Sequence, residues 1–277
     1  MKIERPSSLP EFIARAGSLL LANEAEHGLM LGVAAATPEP APDAYWSLVL
    51  HDGEVVAAAL RTETRLILSR QGAPGAMALV AADAASPKTR RILGPPDSVE
   101  HFAVASQQSW SQVMLQGIYE CRAVTSPKRV SGVRRVAQSA DRETLAVWTQ
   151  RLSAEALNEE VTDAVALARV DNHIAHGAMH IWDDDRCPVS VAAAVAPTPH
   201  GIRINNVYTP PEYRGRGYAG ALVASLTEAM LSADRKFTFL HTDLSNPTSN
   251  RLYVRIGYRY VADFRVAQLV GASEGWI

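Results

Sequence analysis

A stretch of two prolines followed by three spaced glycines constrains the fold more than any other part of this chain. Residues 210–222 read PPEYRGRGYAGAL. The prolines cannot donate the hydrogen bonds of an interior strand, so a preceding strand must end there. The glycines permit left-handed backbone angles, and the apolar periodicity that follows predicts a helix over 218–236. We therefore expect a strand, a tight turn and a helix whose first N–H groups can hold an anion.

Two phosphate-binding patterns fit this stretch. Residues 215–220 spell G-x-G-x-x-G, a dinucleotide fingerprint, and Asp243 lies at about the distance of a ribose-binding acid. Residues 214–219 spell R-x-x-G-x-A, an acyl-CoA pyrophosphate loop. A dinucleotide loop leaves its strand directly at the first glycine, and only about 60 residues remain here for the rest of such a fold. The acyl-CoA interpretation is therefore favoured, with an NAD-binding oxidoreductase as an alternative.

Composition excludes several classes of protein. The chain has 277 residues, 47% of them hydrophobic, which suits one large or two small domains. A net charge of -2 argues against a nucleic-acid partner. Cys121 and Cys187 stand alone, which predicts neither disulfides nor a cysteine-based zinc site and fits a reducing cytoplasm. Glutamates and a histidine interrupt the apolar stretch 18–36 and the N-terminus lacks an apolar signal core, so no membrane association is expected.

The C-terminal half predicts a strand followed by two helices, three strands, and then alternating helices and strands. The predicted ranges are strand 132–138, helices 139–156 and 162–176, a hairpin with its turn at Asp183–Arg186, strand 201–209, helix 218–236, strand 237–244, helix 246–257, and one or two strands over 258–270. Hairpin-linked strands precede the glycine loop, which is not the order of a doubly wound parallel sheet. The predicted fold class is α+β, a three-layer arrangement with a mixed, largely antiparallel central sheet flanked by helices.

The N-terminal half follows a similar order, which predicts a structural repeat. We expect helical segments over 10–36, strands around the turn 51–54, helix 75–86, strand 90–94, helix 97–114 and strand 116–124. Residues 125–132 contain Pro127 and Gly132 and form the predicted linker. The predicted domains are therefore 1–126 and 132–277.

Two motifs in the C-terminal half resemble those of the GNAT superfamily of N-acyltransferases. The segment VYTPPEYRGRGYAGALV resembles motif A, and NPTSNRLYVRIGYRYV resembles motif B about 30 residues later. Asn246, Tyr253, Gly257 and Tyr258 fall on motif B positions, while Ser249 stands where alanine is commoner. The resemblance covers about residues 133–270. It implies a tandem member whose N-terminal half is degenerate, because SRQGAPGAMAL stands there in place of motif A.

The resemblance implies acetyl-CoA as co-substrate and direct attack by an amine. It implies that the backbone of the strand around Val207, Tyr208 and Thr209 pairs with the pantetheine arm. The pyrophosphate would lie on Arg214, Gly215, Arg216, Gly217, Tyr218 and Ala219, where glycines allow close backbone approach and arginines add charge. Tyr253 matches the family's general acid. Asn246 matches a residue that hydrogen-bonds the CoA arm, and it is equally suited to capping a helix.

The general base and the acceptor are left open by the sequence. The strand RINNVYT carries no acid, where many family members place a glutamate. Glu155, Glu159, Glu160, His180, Glu212 and Asp243 are alternatives, and a water chain would need none of them. His173, His176 and His180 lack an accompanying carboxylate motif, so no metal is expected. The acceptor is predicted to be a small-molecule or peptide amine, the protein a monomer or homodimer, and a non-catalytic acyl-CoA-binding protein is the main alternative.

Overall fold

Two successive halves of the chain repeat one order of secondary-structure elements. The structure is a computed structural model that describes residues 1–37, 44–84, 86, 88–125, 127, 129–157 and 160–270. The N-terminal half contains β1 (Lys2–Glu4), α1 (Leu9–Ala22), α2 (Gly28–Ala36), β2 (Tyr45–His51), β3 (Glu54–Thr62), β4 (Arg65–Leu68), α3 (Ala76–Asp83), β5 (Arg91–Gly94), α4 (Pro96–Ala105) and β6 (Trp110–Cys121).

The C-terminal half has the same order of strands and helices. It contains β7 (Val133–Val136), α5 (Arg142–Leu157), α6 (Asp163–Ala175), β8 (Met179–Asp184), β9 (Cys187–Val195), β10 (Gly201–Tyr208), α7 (Tyr218–Ser232), β11 (Phe237–Asp243), α8 (Pro247–Ile256) and β12 (Arg259–Leu269). Short 3-10 turns at Ser139–Asp141 and Pro211–Tyr213 precede α5 and α7.

The twelve strands found in the described residues form one sheet, because the halves exchange their last strands. The order is β1-β2-β3-β4-β5-β12-β6-β11-β10-β9-β8-β7. The last strand of the C-terminal half, β12, pairs with β5, whereas β6 pairs with β11. The pairs β4–β5 and β10–β11 run parallel, and the other described pairs run antiparallel. The predicted mixed, largely antiparallel fold is therefore confirmed.

Helices cover both faces of this sheet in matching positions. One face carries α3, α4, α7 and α8; Ile202, Ile204 and Leu240 point to this side and pack with α7 and α8. The other face, here called the second face, carries α1, α2, α5 and α6, and Val191 and Tyr208 pack there beneath α5 and α6. Alternate residues of a strand point to opposite faces, so each strand contributes to two cores.

A shared core and a polar contact join the halves on the second face. Phe237 and Phe239 of β11 pack with Phe264 of β12 and with the N-terminal half. Glu24, between α1 and α2, accepts hydrogen bonds from the Thr198 hydroxyl (2.6 Å) and from the backbone N–H of His200 (2.8 Å). Both contacts cross from one half of the chain to the other.

The structure corrects the predicted boundary between the last helix and last strand of the N-terminal half. Helix α4 ends at Ala105, not near residue 114, and Gln107 takes a positive φ of 56° in the polar turn that follows. Strand β6 begins at Trp110 because it lies between β11 and β12 and pairs with both. This pairing is between distant segments, and local periodicity does not report it.

Three smaller differences concern element ends. Strand β1 pairs with β2 through only three residues and was not expected. Helix α7 ends at Ser232 rather than 236, and the segment 258–270 forms a single bulged strand, β12. The predicted linker 125–132 includes residues 126 and 128, which lie outside the described residues; in it, the Ser131 carbonyl accepts a hydrogen bond from the Trp182 indole (2.8 Å). The domain limits 1–126 and 132–277 stay a prediction.

Candidate functional site

The glycine loop forms an uncapped helix start. Gly215 and Gly217 have φ values of 78° and 89°, and Gly217 is the N-cap of α7 without any side-chain capping bond. The N–H groups of Gly215, Arg216 and Gly217 donate no hydrogen bond to any described residue. The first N–H groups of a helix also lack intrahelical partners. The loop therefore presents a row of free donors at the positive end of a helix dipole.

Both arginines of the loop fold back onto the protein. Arg214 donates to a carboxylate oxygen of Glu155 (2.5 Å) and to the Thr209 carbonyl (2.8 Å), and its guanidinium lies 5.6 Å from the centre of the Tyr208 ring. Arg216 donates to the Glu212 carbonyl (3.2 Å). Their predicted contacts with a pyrophosphate stay predictions and would require these side chains to turn toward it.

Strands β10 and β11 separate beside this loop. They pair only through Gly201–Phe237, Ile202–Thr238 and Arg203–Phe239. Beyond Arg203, a bulge shifts the register between β10 and β9, and Asn206 has a positive φ of 51°. The edge of β10 that faces β11 is therefore unpaired on its way to the glycine loop. Val207, Tyr208 and Thr209, predicted to bind the pantetheine arm, lie along this diverging segment.

The side chains of this segment are held by neighbours. The Thr209 hydroxyl lies 2.8 Å from that of Ser190, and the Tyr208 hydroxyl donates to Glu155 (3.0 Å). Tyr218 is buried at the start of α7, and its hydroxyl donates to Asp184 (2.6 Å). These contacts fix the walls of the opening and leave backbone groups to meet a ligand.

Tyr253 of α8 is buried against the same core as α7. It is 8% exposed and packs edge-to-face on Tyr258, with ring centres 5.9 Å apart. Its hydroxyl has no hydrogen-bond partner within the described part of the chain, and burial raises the pKa of Tyr253 to about 12. The phenol is therefore protonated at neutral pH and able to donate, as the predicted acid role requires.

Asn246 serves as the N-cap of α8. Its side-chain oxygen accepts the N–H of Ser249 (3.1 Å), which is the capping role considered as the alternative to CoA binding. The predicted contact with the CoA arm stays a prediction. Ala219, in the first turn of α7, is half-buried and lies between the buried Tyr218 and Gly220.

Most candidates for the general base are occupied or distant from the opening. The Asp243 carboxylate accepts the N–H and hydroxyl of Ser245 (2.8 and 2.7 Å). His180 lies 3.0 Å from the Arg134 guanidinium, and burial, with that positive charge, lowers the pKa of His180 to about 4. Glu160 and Glu212 are exposed, and Glu159 lies outside the described residues. Glu155, at the mouth of the opening, is paired with Arg214.

Sequence reasoning missed a polar cluster on the second face of the sheet. Arg203 and His241 lie on β10 and β11 at the point where these strands separate, and His241 Nδ1 is 3.3 Å from the amide oxygen of Gln116. Arg203 Nε and His241 Nε2 are both shielded from solvent and have no hydrogen-bond partner among the residues described. The available signal was an arginine between two core isoleucines in GIRIN.

The corresponding place in the N-terminal half has no such opening. Strand β4 has four residues, three of which pair with β5. After Leu68 the chain turns back toward β3, where the N–H groups of Ser69 and Gly72 donate to the carbonyls of Ala58 (2.9 Å) and Val56 (2.7 Å). Arg70 is bound by the buried carboxylate of Glu26 (2.9 Å). This half keeps the fold and also has an uncapped helix start, at Gly75 with a φ of 83°. Within its described residues it lacks a free strand edge beside that helix start.

Comparison with known proteins identifies this arrangement. The model of the acetyltransferase (GNAT) family matches residues 135–258. The chain therefore contains a GNAT acetyltransferase domain over those residues, and the predicted family is confirmed. No curated protein matches the sequence significantly.

Solved structures extend the likeness to the whole chain. A GNAT acetyltransferase from Colwellia psychrerythraea is 11% identical, with 97% of this chain and 99% of that chain covered and a TM-score of 0.60. A GCN5-related N-acetyltransferase from Sphaerobacter thermophilus is 16% identical, with 96% and 94% covered and a TM-score of 0.63. A tandem GNAT protein of the clavulanic acid biosynthesis pathway is 12% identical, with 99% and 100% covered and a TM-score of 0.57. At these identities the likeness is one of fold, here the tandem GNAT fold.

The described residues contain no group of three or more His, Cys, Asp or Glu side chains arranged to hold a metal ion. None of the helices within the described ranges is both long and apolar enough to cross a membrane.

Proposed function

We propose that this protein transfers an acyl group from acyl-CoA, with acetyl-CoA as the principal donor, to the nitrogen of an amine. The observation that carries the proposal is the divergence of β10 from β11 beside the uncapped start of α7. A free strand edge suits the amides of a pantetheine arm, and free N–H donors at a helix start suit a pyrophosphate. Both features occur in one place, in the half that matches the family model.

The chain's own groups supply two parts of the chemistry. A backbone N–H on the unpaired edge of β10 would polarise the thioester carbonyl and stabilise the oxyanion that forms on attack. Tyr253 would donate a hydrogen bond to the departing sulfur. Because a thiol has a pKa of about 8.5, a phenol with a pKa of about 12 stabilises the thiolate without transferring its proton completely.

The amine must lose a proton, and two of the candidate carboxylates are already bonded. Glu155 accepts from Tyr208 and Arg214, and Asp243 accepts from Ser245. We propose that a water chain, or an acceptor whose pKa is lowered in the site, removes the need for a dedicated carboxylate. That these carboxylates are already hydrogen-bonded also favours the alternative of a non-catalytic acyl-CoA-binding protein.

The proposal predicts binding of acetyl-CoA at the glycine loop. Acetyl-CoA at about 100 times its Kd should add about 2.7 kcal/mol to the free energy of unfolding, whereas NADH should add nothing. Gly217→Ala should raise the Kd for acetyl-CoA at least tenfold, because the left-handed backbone at Gly217 disfavours a side chain and Val130 lies 3.0 Å from the position of the added Cβ. Calorimetric titration and thermal unfolding measure both effects.

Gly53→Ala is the matched control for this substitution. Gly53 has a φ of 88° in the hairpin turn of the other half, with nothing within 4 Å of an added Cβ. It should lose stability for the same backbone reason and leave the Kd for acetyl-CoA unchanged. If the two substitutions changed the Kd for acetyl-CoA equally, the glycine loop would not be part of the binding site. If the protein bound acetyl-CoA but released no CoA with any amine, the acyl-CoA-binding alternative would be favoured.

The cellular compartment and the class of acceptor are also proposals. Cys121 and Cys187 are free thiols in the structure, which fits the reducing cytoplasm, where we place the protein. The acceptor is proposed to be a small-molecule or peptide amine, reached from the second face of the sheet, between α2 and the α5–α6 pair.

A further inference from the structure

Arg203 carries a positive charge that has no counter-ion among the described residues, and it lies where the proposed acceptor would enter. Arg203 is the last residue of β10 to pair with β11, opposite Phe239. Ile202 and Ile204 pack into the core with α7, so Arg203 points to the second face of the sheet. Beyond it the strands separate, and the pantetheine arm would enter from the other end of this opening. Arg203 therefore lies at the closed end of the opening, on the acceptor side.

The described neighbours of Arg203 leave its charge unbalanced. None of the described carboxylates forms an ion pair with it, and its Nε atom is shielded from solvent without a hydrogen-bond partner. Burial lowers the pKa of Arg203 to about 10, which still leaves it charged at neutral pH. Buried charges in proteins are normally paired, because an unpaired one is costly to desolvate. An unpaired guanidinium beside an active site is what a ligand's anionic group would complete.

His241 places a hydrogen-bond acceptor next to the Arg203 guanidinium. It lies two residues beyond Phe239 on the same face of β11, and its ring packs edge-to-face on Phe264, with centres 4.8 Å apart. Nδ1 faces the amide oxygen of Gln116 at 3.3 Å and therefore carries the proton, which leaves Nε2 as a lone-pair acceptor without a partner among the described residues. Burial, and the positive charge of Arg203, hold the pKa of His241 well below its usual range, so the ring is neutral.

We propose that the acceptor is an amino carboxylate, with its carboxylate bound by Arg203 and a nitrogen-bound hydrogen of its amine accepted by His241. The proposal rests on the proposed acyltransferase function and names the class of its acceptor. A planar guanidinium matches a carboxylate through two parallel hydrogen bonds. The bulge at Asn206 lies three residues farther along β10, about 10 Å away. The amine would thus lie between the anion site and the thioester.

The acceptor assignment is tested on the intact protein by CoA release from acetyl-CoA. The twenty amino acids and their carboxamides are compared, with spermidine and an aminoglycoside as cationic amines and aminomethylphosphonate as a different anion. We expect at least one amino acid to exceed its amide at least tenfold in kcat/KM. Arg203→Met should bring this ratio close to one by raising the KM of the amino acid. Arg203→Lys should retain part of it.

Stability gives a second readout that needs no acceptor. Arg203→Met removes a half-buried charge that has no counter-ion among the described residues, so the unfolding midpoint of the free protein should stay unchanged or rise. The matched control is Arg135→Met: Arg135 is paired with Asp141 (2.7 Å) and Asp183 (2.6 Å), and its loss should lower the midpoint. A clear loss of stability in Arg203→Met would mean that Arg203 has a counter-ion in the folded protein and would overturn the proposal.

The outcomes separate the two levels of the proposal. Turnover only of spermidine, the aminoglycoside or carboxamides overturns the amino-carboxylate assignment and leaves the acyltransferase function intact. A preference for aminomethylphosphonate over every amino acid also overturns it, in favour of a phosphonate or phosphate group. Binding of acetyl-CoA without turnover of any amino acid overturns it as well. Absence of acetyl-CoA binding contradicts the proposed function itself.

Discussion

Two tyrosines five residues apart illustrate how burial and hydrogen bonding separate a functional hydroxyl from a structural one. Tyr258 is 1% exposed, and its hydroxyl lies 2.7 Å from that of Thr227 and 2.8 Å from that of Thr238. Tyr253 packs against it, yet its hydroxyl has no partner among the described residues. The Tyr253 hydroxyl is not among the described polar atoms that are both shielded from solvent and without a partner, so it is accessible from the opening. We infer that this hydroxyl is available to a bound ligand.

The pair gives a direct prediction for catalysis and stability. Tyr253→Phe should lower kcat at least tenfold, with the KM for acetyl-CoA and the free energy of unfolding nearly unchanged. Tyr258→Phe should leave kcat nearly unchanged and destabilise the fold by about 1–3 kcal/mol, because two threonine hydroxyls lose a buried partner. Steady-state kinetics and urea unfolding of both variants measure these effects. The same kcat in Tyr253→Phe and the wild type would remove Tyr253 from the mechanism.

Individual residues also show what the sequence could and could not predict. The glycine loop was predictable, because its spacing and the helix after it are local features. The binding of Arg214 to Glu155 was not, because these residues are far apart in the chain and meet only in the folded protein. Arg203 was likewise missed: a charged residue between two isoleucines fits a surface strand equally well until the opposite face is known to be covered.

At the scale of elements, strand length distinguishes the half with an opening from the half without one. Strand β10 continues for five residues after its pairing with β11 ends, whereas β4 continues for one residue after its pairing with β5. Gly94, at the end of β5, lies so close to β4 that an added Cβ would be 2.7 Å from the Leu68 carbonyl oxygen. The N-terminal strand pair is thus closed by backbone contact.

This closure predicts the effect of a single methyl group. Gly94→Ala should destabilise the protein by about 1–3 kcal/mol, because backbone atoms must move to accept the Cβ. Gly17→Ala is the control: Gly17 lies inside α1 with nothing within 4 Å of an added Cβ, and alanine should stabilise the helix by about 0.5–1 kcal/mol. Denaturant unfolding compares the two. Similar stability of Gly94→Ala and the wild type would show that β4 and β5 can separate.

Element order could be derived from periodicity, but the partners of the last strands could not. Apolar spacing placed most helices and strands of both halves. The error at residues 106–115 arose because β6 is specified by β11 and β12, which are more than 100 residues away in sequence. Pairing of this kind depends on tertiary context rather than on local propensity.

At the scale of the whole molecule, the exchanged strands make each half depend on the other. Strand β11, one wall of the proposed acyl-CoA site, pairs on its other side with β6 of the N-terminal half. The N-terminal half thus supplies the strand that supports this wall, and its α1–α2 connection holds Thr198 and His200 through Glu24. We infer that it is retained for this structural support.

Expression of residues 132–277 alone tests this dependence. Without β5 and β6, β12 loses both partners and β11 loses one, which exposes strand edges that normally promote association. We expect the fragment to be unfolded or to associate, and not to bind acetyl-CoA as a monomer. Light scattering with calorimetric titration decides the outcome. A monomeric fragment that binds acetyl-CoA as tightly as the full chain would contradict the inference and favour an independent domain.

The central claim is that acyl-CoA binds between β10 and β11 in the C-terminal half alone. A crystal structure with a non-hydrolysable acetyl-CoA analogue tests it most directly. The account predicts one bound molecule, with its pantetheine along residues 207–209, its pyrophosphate on the N–H groups of residues 215–219, and its thioester end facing Arg203 and His241. A molecule bound between β4 and β5, or along any other strand edge, would contradict it.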